Sequence, residues 1–449
     1  MNELIAYRPF DQKGRVGNTA LILIAFASVF FSRILDTLGA PSTINFLHFA
    51  TIPLACGYVL FKSRTRNHKQ IQIVQQLLFG LLLLLVVMFS SALLNDAGFI
   101  NIILSFLLLG EPFILLIPIV GVPVSEVRYS WLRTWLVRFC FLHVFLALVQ
   151  RHVVKLHLTR ALAGDDLIQG VFYFSGAGHV VGASVAMTFG LYYLVTAKNA
   201  QLWLRFLVAL ATFWHMLIAD AKQVLLSFMI SGVLVVLTKI KNVAEGFKYA
   251  GGVIVFMIIF LWCIQNVPAF SAFNTWIRPE MYGPEGEATL LKTASARIIP
   301  THYESPLNWL FGLGPGHTVG RLGGWMLGTY WSLLGPLGAT IHPASREVWI
   351  AVGQSWLGNQ SSMFSPLFGW AGIWGDLGLL GLGAYLYLAW IVWREICTDD
   401  LSKFFVLNIF VFGLIFSQME EPGYMLTVAM ILGLQWQQKQ LKIQEKNKY

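Results

Sequence analysis

Nine basic residues escape the usual explanation for positive charge in an oily chain. Arg151, Lys155 and Arg160 fall in one polar connection, 151–178, with His152 and His157 beside them. Lys222 closes the tight turn Asp220-Ala221-Lys222. Arg278, Lys292, Arg297, Arg321 and Arg346 are scattered through 268–366, the one long hydrophilic interval. Any one alone reads as a solvated or snorkelling charge at a helix end. Together they put several cations near headgroup depth on one face, which suits a di-anionic ligand such as a lipid-linked phosphate or pyrophosphate. The same interval carries the turn Gly312-Leu313-Gly314-Pro315-Gly316, followed by His317. No βαβ pattern surrounds it, so a dinucleotide site is excluded. Its use is a close backbone approach to a ligand, stiffened by Pro315. His317 is either a general base or a polar loop residue.

These residues need a scaffold, and composition says which kind. The chain is 57% hydrophobic and 12% charged, with mean hydropathy +0.66. That lies far outside the soluble globular range. Apolar runs approaching the roughly 20 residues that cross a bilayer recur along most of the length. The fold class is therefore an all-α polytopic membrane protein. A transmembrane barrel would show short alternating strands, which the run Leu81 to Leu85 excludes locally.

Spans are expected at 19–38, 43–61, 73–94, 99–121, 132–150, 179–197, 203–219, 223–238, 250–267, 367–393, 404–418 and 423–437. The organisation is a nine-helix bundle over 1–267, a large external loop over 268–366, and three further helices with a tail over 367–449. With both termini in the cytoplasm, 20 of the 31 Lys and Arg lie on the inner side. That asymmetry is the expected one, and it explains the net charge of +9 without nucleic acid. The four cysteines lack paired or metal-like spacing, so neither a disulfide framework nor a zinc site is indicated.

Charges within spans are few. Glu111-Pro112 sits mid-span, where proline kinks the helix and the acid must find a partner or a proton. Arg138 and His143 lie in the next span. These three form either an ion path or a packing network inside the bundle. Glu420-Glu421 at the last external turn can pair with the basic cluster, and Ser90, Ser91 and Asn95 can bind a sugar or neighbouring backbone. Inside the loop, Ala288–Ile299 forms one short helix carrying Lys292 and Arg297, stopped by Pro300. Trp309, Trp325 and Trp331 either stack on sugar rings or form an interfacial belt.

Four local features, in this order, resemble the O-antigen ligase/polymerase superfamily of bacterial membrane glycosyltransferases. Phe174-Ser175-Gly176-Ala177-Gly178-His179 leads into a span as that family's glycine- and Asn/His-bearing entry does. Ala219-Asp220-Ala221-Lys222-Gln223 stands where many members have a Ser-Arg-Gly turn, with Lys222 in place of the Arg. Ser295-Ala296-Arg297, followed by Trp309 and the glycine turn, is similar to the family's loop signature. Gly375-Asp376-Leu377-Gly378-Leu379-Leu380-Gly381 is similar to its acidic-x-Gly-x-x-Gly pattern. The plan of about twelve spans with a large external loop before the tenth is also that family's. Ligase-type members carry a His-Asn pair before the acidic motif, where this chain has Ser361-Ser362-Met363-Phe364-Ser365-Pro366. That departure favours a polysaccharide polymerase or a divergent transferase over a ligase.

The resemblance implies a GT-C-like architecture in the bacterial inner membrane and glycan transfer at its periplasmic face. The donor would be a polyprenyl-pyrophosphate-linked oligosaccharide and the acceptor a glycan or lipid hydroxyl. No metal or cofactor is implied; other polysaccharide-assembly proteins are possible partners. The leaving group is already a pyrophosphate, so cations must stabilise the charge that develops at departure. Lys222 and Arg297 are the first candidates, then Arg321, Arg151 and Arg160. His317 or Asp220 would serve as base, Asp220 becoming an orienter if it pairs with Lys222. His179, Gly314, Gly316, Trp309 and Asp376 would complete the donor and glycan subsites. Lys222, Arg297 and the glycine turn should then converge on one cavity. The competing classes are a ligase, a lipid-linked glycan transporter or flippase, and a structural partner in an assembly complex.

Overall fold

The computed structural model describes residues 17–446, apart from 64, 66, 160–163, 174–176, 240–242, 271, 361 and 367. It is an all-α membrane protein, 82% helical, with no strand among the described residues. The expected apolar intervals coincide with helices α1 (Asn18–Phe30), α2 (Leu47–Lys62), α3 (His68–Leu94) and α4 (Phe99–Gly121). They continue with α5 (Glu126–His152), α6 (Gly178–Thr196), α7 (Leu202–Ile218), α8 (Lys222–Leu237) and α9 (Val243–Asn266). The last three are α10 (Gly369–Ile391), α11 (Asp400–Ile415) and α12 (Pro422–Lys446). Seven of the described helical stretches are long and apolar enough to cross a bilayer; α1, α7 and α8 are shorter apolar helices.

The core runs along α4 and α12. α4 is buried on nearly all sides, and α12 is buried from Pro422 to Gln437. Gly433 lets α12 close on α4, because a Cβ there would lie 2.5 Å from the Ile119 side chain. The last carbonyls of α4 have no intrahelical partners. Gln70 donates to the Val120 carbonyl, and Gln437 to those of Ile119 and Val122. A helix end with its polar groups satisfied in this way can be buried in an apolar bundle.

Two expectations about continuity are corrected. The first interval is not one helix: the chain breaks at Phe31 and resumes as Ser32–Thr37. The expected helix Ala288–Ile299 is two pieces, Glu287–Lys292 and Ala294–Ile298, with Thr293 between them. Pro300 does not stop the chain from turning. It sits at the start of a 3-10 turn, Ile299–His302, where its missing N–H costs nothing. Lys292, at the end of the first piece, donates to the carbonyls of Ser365, Leu414 and Ile415. A cation there complements the carbonyl-rich end of α11.

The interval 268–366 folds as short helices lying against one end of the bundle. Among the described residues, a small apolar group, Met281, Ala288, Leu291, Leu357 and Phe364, belongs to the segment alone. Other buried apolar side chains of the segment join the bundle. Leu322, Met326 and Leu327 pack with Leu104 and Leu108 of α4, and Ile299, Leu313 and Val319 pack with Ala371 of α10.

Candidate functional site

The glycine turn is the hinge of this packing. α10 is interrupted at Gly378, whose φ of 64° and ψ of −162° are closed to other residues. A Cβ at Gly378 would sit 2.3 Å from the Leu310 carbonyl carbon, and one at Gly312 would sit 2.4 Å from that of Asp376. The two glycines therefore let two backbones touch. Across the contact, Leu313 N–H donates to Gly375 O at 2.8 Å and Gly314 N–H to Asp376 O at 3.0 Å. The Asp376 carboxylate then accepts from Gly316 N–H at 2.7 Å, and from Thr318 N–H and hydroxyl at 2.8 and 2.6 Å. Ser91 and Asn95 donate to the backbone at Asp376 and Gly312. A discontinuous membrane helix is tolerated where protein satisfies the freed groups, as here.

This geometry redefines several candidate residues. The close approach made possible by Gly314 and Gly316 is to the protein itself, and Asp376 is a buried tether for the turn. His317 is buried too: Nδ1 donates to Leu313 O at 2.8 Å, and Nε2 faces the Thr340 hydroxyl at 2.7 Å. Burial pulls its imidazole down to about 4, with His342 adding to the effect. A ring engaged at both nitrogens and neutral at pH 7 is a structural pin. Trp309 is half exposed, its ring edge-on to Tyr303 at 5.1 Å and tilted to Trp374 at 6.1 Å.

Among the described residues, each of the expected cations outside the glycine turn has its own local partners. Lys222, at the start of α8, pairs with Asp220, which adopts a positive φ of 51° in the turn before it. His179 lies 3.6 Å from Asp166, whose carboxyl burial raises while His179 opposes the shift; the charge on Asp220 acts on both. Arg151 pairs with Asp165. Arg160 and the residues Phe174 to Gly176 lie outside the described residues. Arg297 is exposed, donating to Leu290 O at 2.7 Å and the Thr293 hydroxyl at 3.3 Å within its own short helices. Lys222 and Arg297 are thus held by local partners, neither of them in the glycine turn.

Arg321 is the predicted cation that the turn does position. Three residues beyond the Asp376-bound Thr318, its N–H donates to Glu420 Oε2 at 2.7 Å, and its guanidinium pairs with Glu421. The guanidinium also lies 4.8 Å above the Trp325 ring. A π-helical turn, Leu322–Met326, follows it, a geometry frequent at functional sites. Burial, and then Arg33, pull Arg321 down to about 9, which leaves it charged at neutral pH. Burial, reinforced by the Asp376 charge, raises Glu420 to about 8.

Arg33 is the residue that sequence reasoning missed. It lies on Ser32–Thr37, beyond the break in the first apolar run. Among the described residues it has no carboxylate partner. Its signal is in the sequence: a charge inside an apolar interval, here Arg33 with Asp36 three residues on, is a functional candidate by default. Arg33, Asp36, Ser42, Thr43, Trp325, Tyr330 and their neighbours line an open groove of about 690 Å³. A narrow inner cavity of about 20 Å³ shares Arg33, Trp325 and Tyr330 with that groove and adds His48 and Arg321. An unpaired guanidinium beside a second one is an arrangement that attracts an anion, since like charges in a partly buried cleft repel until one binds. No family model matches the chain, and no characterised protein matches it.

Proposed function

We propose that the chain is a glycosyltransferase of the bacterial inner membrane that polymerises a polysaccharide. In this reading it crosses the bilayer about twelve times with both termini cytoplasmic. The segment 268–366 then lies on the periplasmic side. The donor is a polyprenyl-pyrophosphate-linked glycan, the acceptor a glycan hydroxyl, and the leaving group departs as pyrophosphate. The observation that carries the reading is Arg33, which lines the open groove and shares with Arg321 the narrow inner cavity beside it. Guanidinium forks match phosphate oxygens, and fixed cations lower the barrier where charge develops on the departing group. The open groove leaves room for sugar beside the aromatic rings of Trp325 and Tyr330. Lys222, Arg151 and His179 are proposed to serve the glycan further along the same face, and Arg297 its outer edge. A ligase reading uses the same site and differs only in its acceptor.

The test is turnover of a polyprenyl-pyrophosphate oligosaccharide by purified protein in detergent, with Arg33→Ala and Arg321→Ala alongside. Each loss should weaken donor use by about 10- to 100-fold, the value of one or two charge-assisted hydrogen bonds. Full activity in both variants refutes the site. Donor binding without transfer to any acceptor would point to a transporter instead.

A further inference from the structure

The donor site leaves one buried pair without a role. His48 opens α2, and Glu111 lies in the middle of α4, beside Pro112. His48 Nδ1 stands 2.8 Å from Glu111 Oε1 and 2.9 Å from Oε2. Glu111 is 1% exposed. With Glu111 ionised, its carboxylate only accepts hydrogen bonds, Nδ1 carries the proton and Nε2 keeps its lone pair. The ring is held against Phe49, centroids 4.2 Å apart.

A buried His–carboxylate pair is commonly no more than a satisfied polar contact in a helix bundle. Two observations argue for more. Among the described residues Nε2 has no hydrogen-bond partner, although Nδ1 has two acceptor oxygens. The ring also lines the inner cavity together with Arg33, Arg321 and Tyr330. That cavity, about 20 Å³, is the size of one water molecule or one hydroxyl group. A basic nitrogen, oriented by a carboxylate on its far side, thus shares a hydroxyl-sized space with both cations of the donor site.

We propose that His48, oriented by Glu111, is the general base that deprotonates the acceptor hydroxyl. The inference rests on the glycosyl-transfer reading above. In the step, the acceptor oxygen bonds to the anomeric carbon as the bond from that carbon to the phosphate oxygen breaks. The electron pair leaves on the pyrophosphate in the groove, held by Arg33, with the charge of Arg321 behind it. The hydroxyl proton moves to His48 Nε2 and later returns to water through the open groove. His48 is the catalytic residue; Glu111 is a positioning residue acting through it.

The experiment measures transfer from a polyprenyl-pyrophosphate oligosaccharide across pH 5–9, with donor binding measured separately by thermal shift. The proteins are wild type, His48→Ala, His48→Gln, Glu111→Gln and Arg33→Ala. The groups facing His48 are Glu111, Arg33, Tyr330 and Arg321, with Glu420 and Glu421 behind Arg321; Arg33→Ala reports their influence. Both His48 variants should lower kcat by about 10²- to 10⁴-fold, leave donor binding nearly unchanged and erase the acid limb of the rate profile. Glu111→Gln should keep donor binding and displace that limb, which a merely structural partner would not do. Arg33→Ala should weaken donor binding and keep the limb. A His48→Gln enzyme with wild-type kcat and limb overturns the inference while transfer by the wild type stands. Loss of donor binding in the His48 variants assigns the pair a structural role and overturns it too. A wild type that neither binds nor transfers the donor overturns the underlying reading, and the inference with it.

Discussion

Replacing Asp376 by Asn tests whether the turn is fastened to α10 as described. The carboxylate accepts from two backbone N–H groups and one hydroxyl, split between its oxygens: Gly316 on Oδ2, and Thr318 twice on Oδ1. An amide of the same shape has one accepting end. Its NH2 must face either Gly316 N–H or Thr318 N–H, so one backbone donor is left buried without a partner. A lost hydrogen bond to a charged group is worth about 1.5–3 kcal/mol, and a stranded buried donor costs about 1–3 kcal/mol more. The backbone bonds of Leu313 and Gly314 survive, so the turn loosens without unfolding. A local cost of about 3–4 kcal/mol corresponds to about 10²- to 10³-fold faster opening-limited exchange. Hydrogen exchange of a peptide spanning 312–318 in detergent-solubilised protein reads this directly. Exchange within about threefold of wild type would refute the tether, since even one lost charge-assisted bond exceeds that.

Two further outcomes follow from the same contact and its neighbour. Gly312→Ala should cost on the order of 2–4 kcal/mol and lower the thermal midpoint in detergent, because a strained positive φ is joined by a backbone clash. An unchanged midpoint would mean that the two chains do not touch there. His317, held near 4 in the folded protein, leaves the unfolded chain binding the extra proton between about pH 6.5 and 4. Stability should therefore fall as pH drops through that window, and His317→Gln should flatten the slope; a slope unaltered by the substitution would show that another group controls it.

The helices were legible because an apolar run near bilayer length permits little else, whatever it packs against. Interruptions were less so. Phe31 and Thr293 carry no helix-breaking chemistry that would mark their breaks in the sequence. Pairing was legible where it is local, as between Asp220 and Lys222. Glu420 and Glu421 were readable as partners for some external cation, but Arg321 lies about a hundred residues away, and only the folded chain selects it. The glycine turn advertised positive φ without saying what approaches it. The sequence suggested a ligand; the fold supplies Asp376. Arg33 is hidden for a different reason: it belongs to an interval whose hydropathy reads as a span to its end.

The consequence for the site is a change in where its rigidity comes from. A loop over a membrane face, if held only by its own small apolar group, would present an arginine on a mobile arm. Here Arg321 follows a turn anchored to an interrupted helix through Asp376, and its own backbone is anchored through Glu420 to the 3-10 turn Ser417–Glu420 before α12. Two acidic side chains from separate elements thus fix the backbone that carries one cation before any ligand arrives. Arg33 is carried in by the break after α1, and His48 by the first turn of α2. Preorganised charge of this kind needs little rearrangement when an anion binds or when charge develops on a leaving group. The segment 268–366 is therefore better described as part of the wall than as a lid. Ser42, Thr43 and Ser332 line the same groove, and in the proposed reading the substrate enters through it.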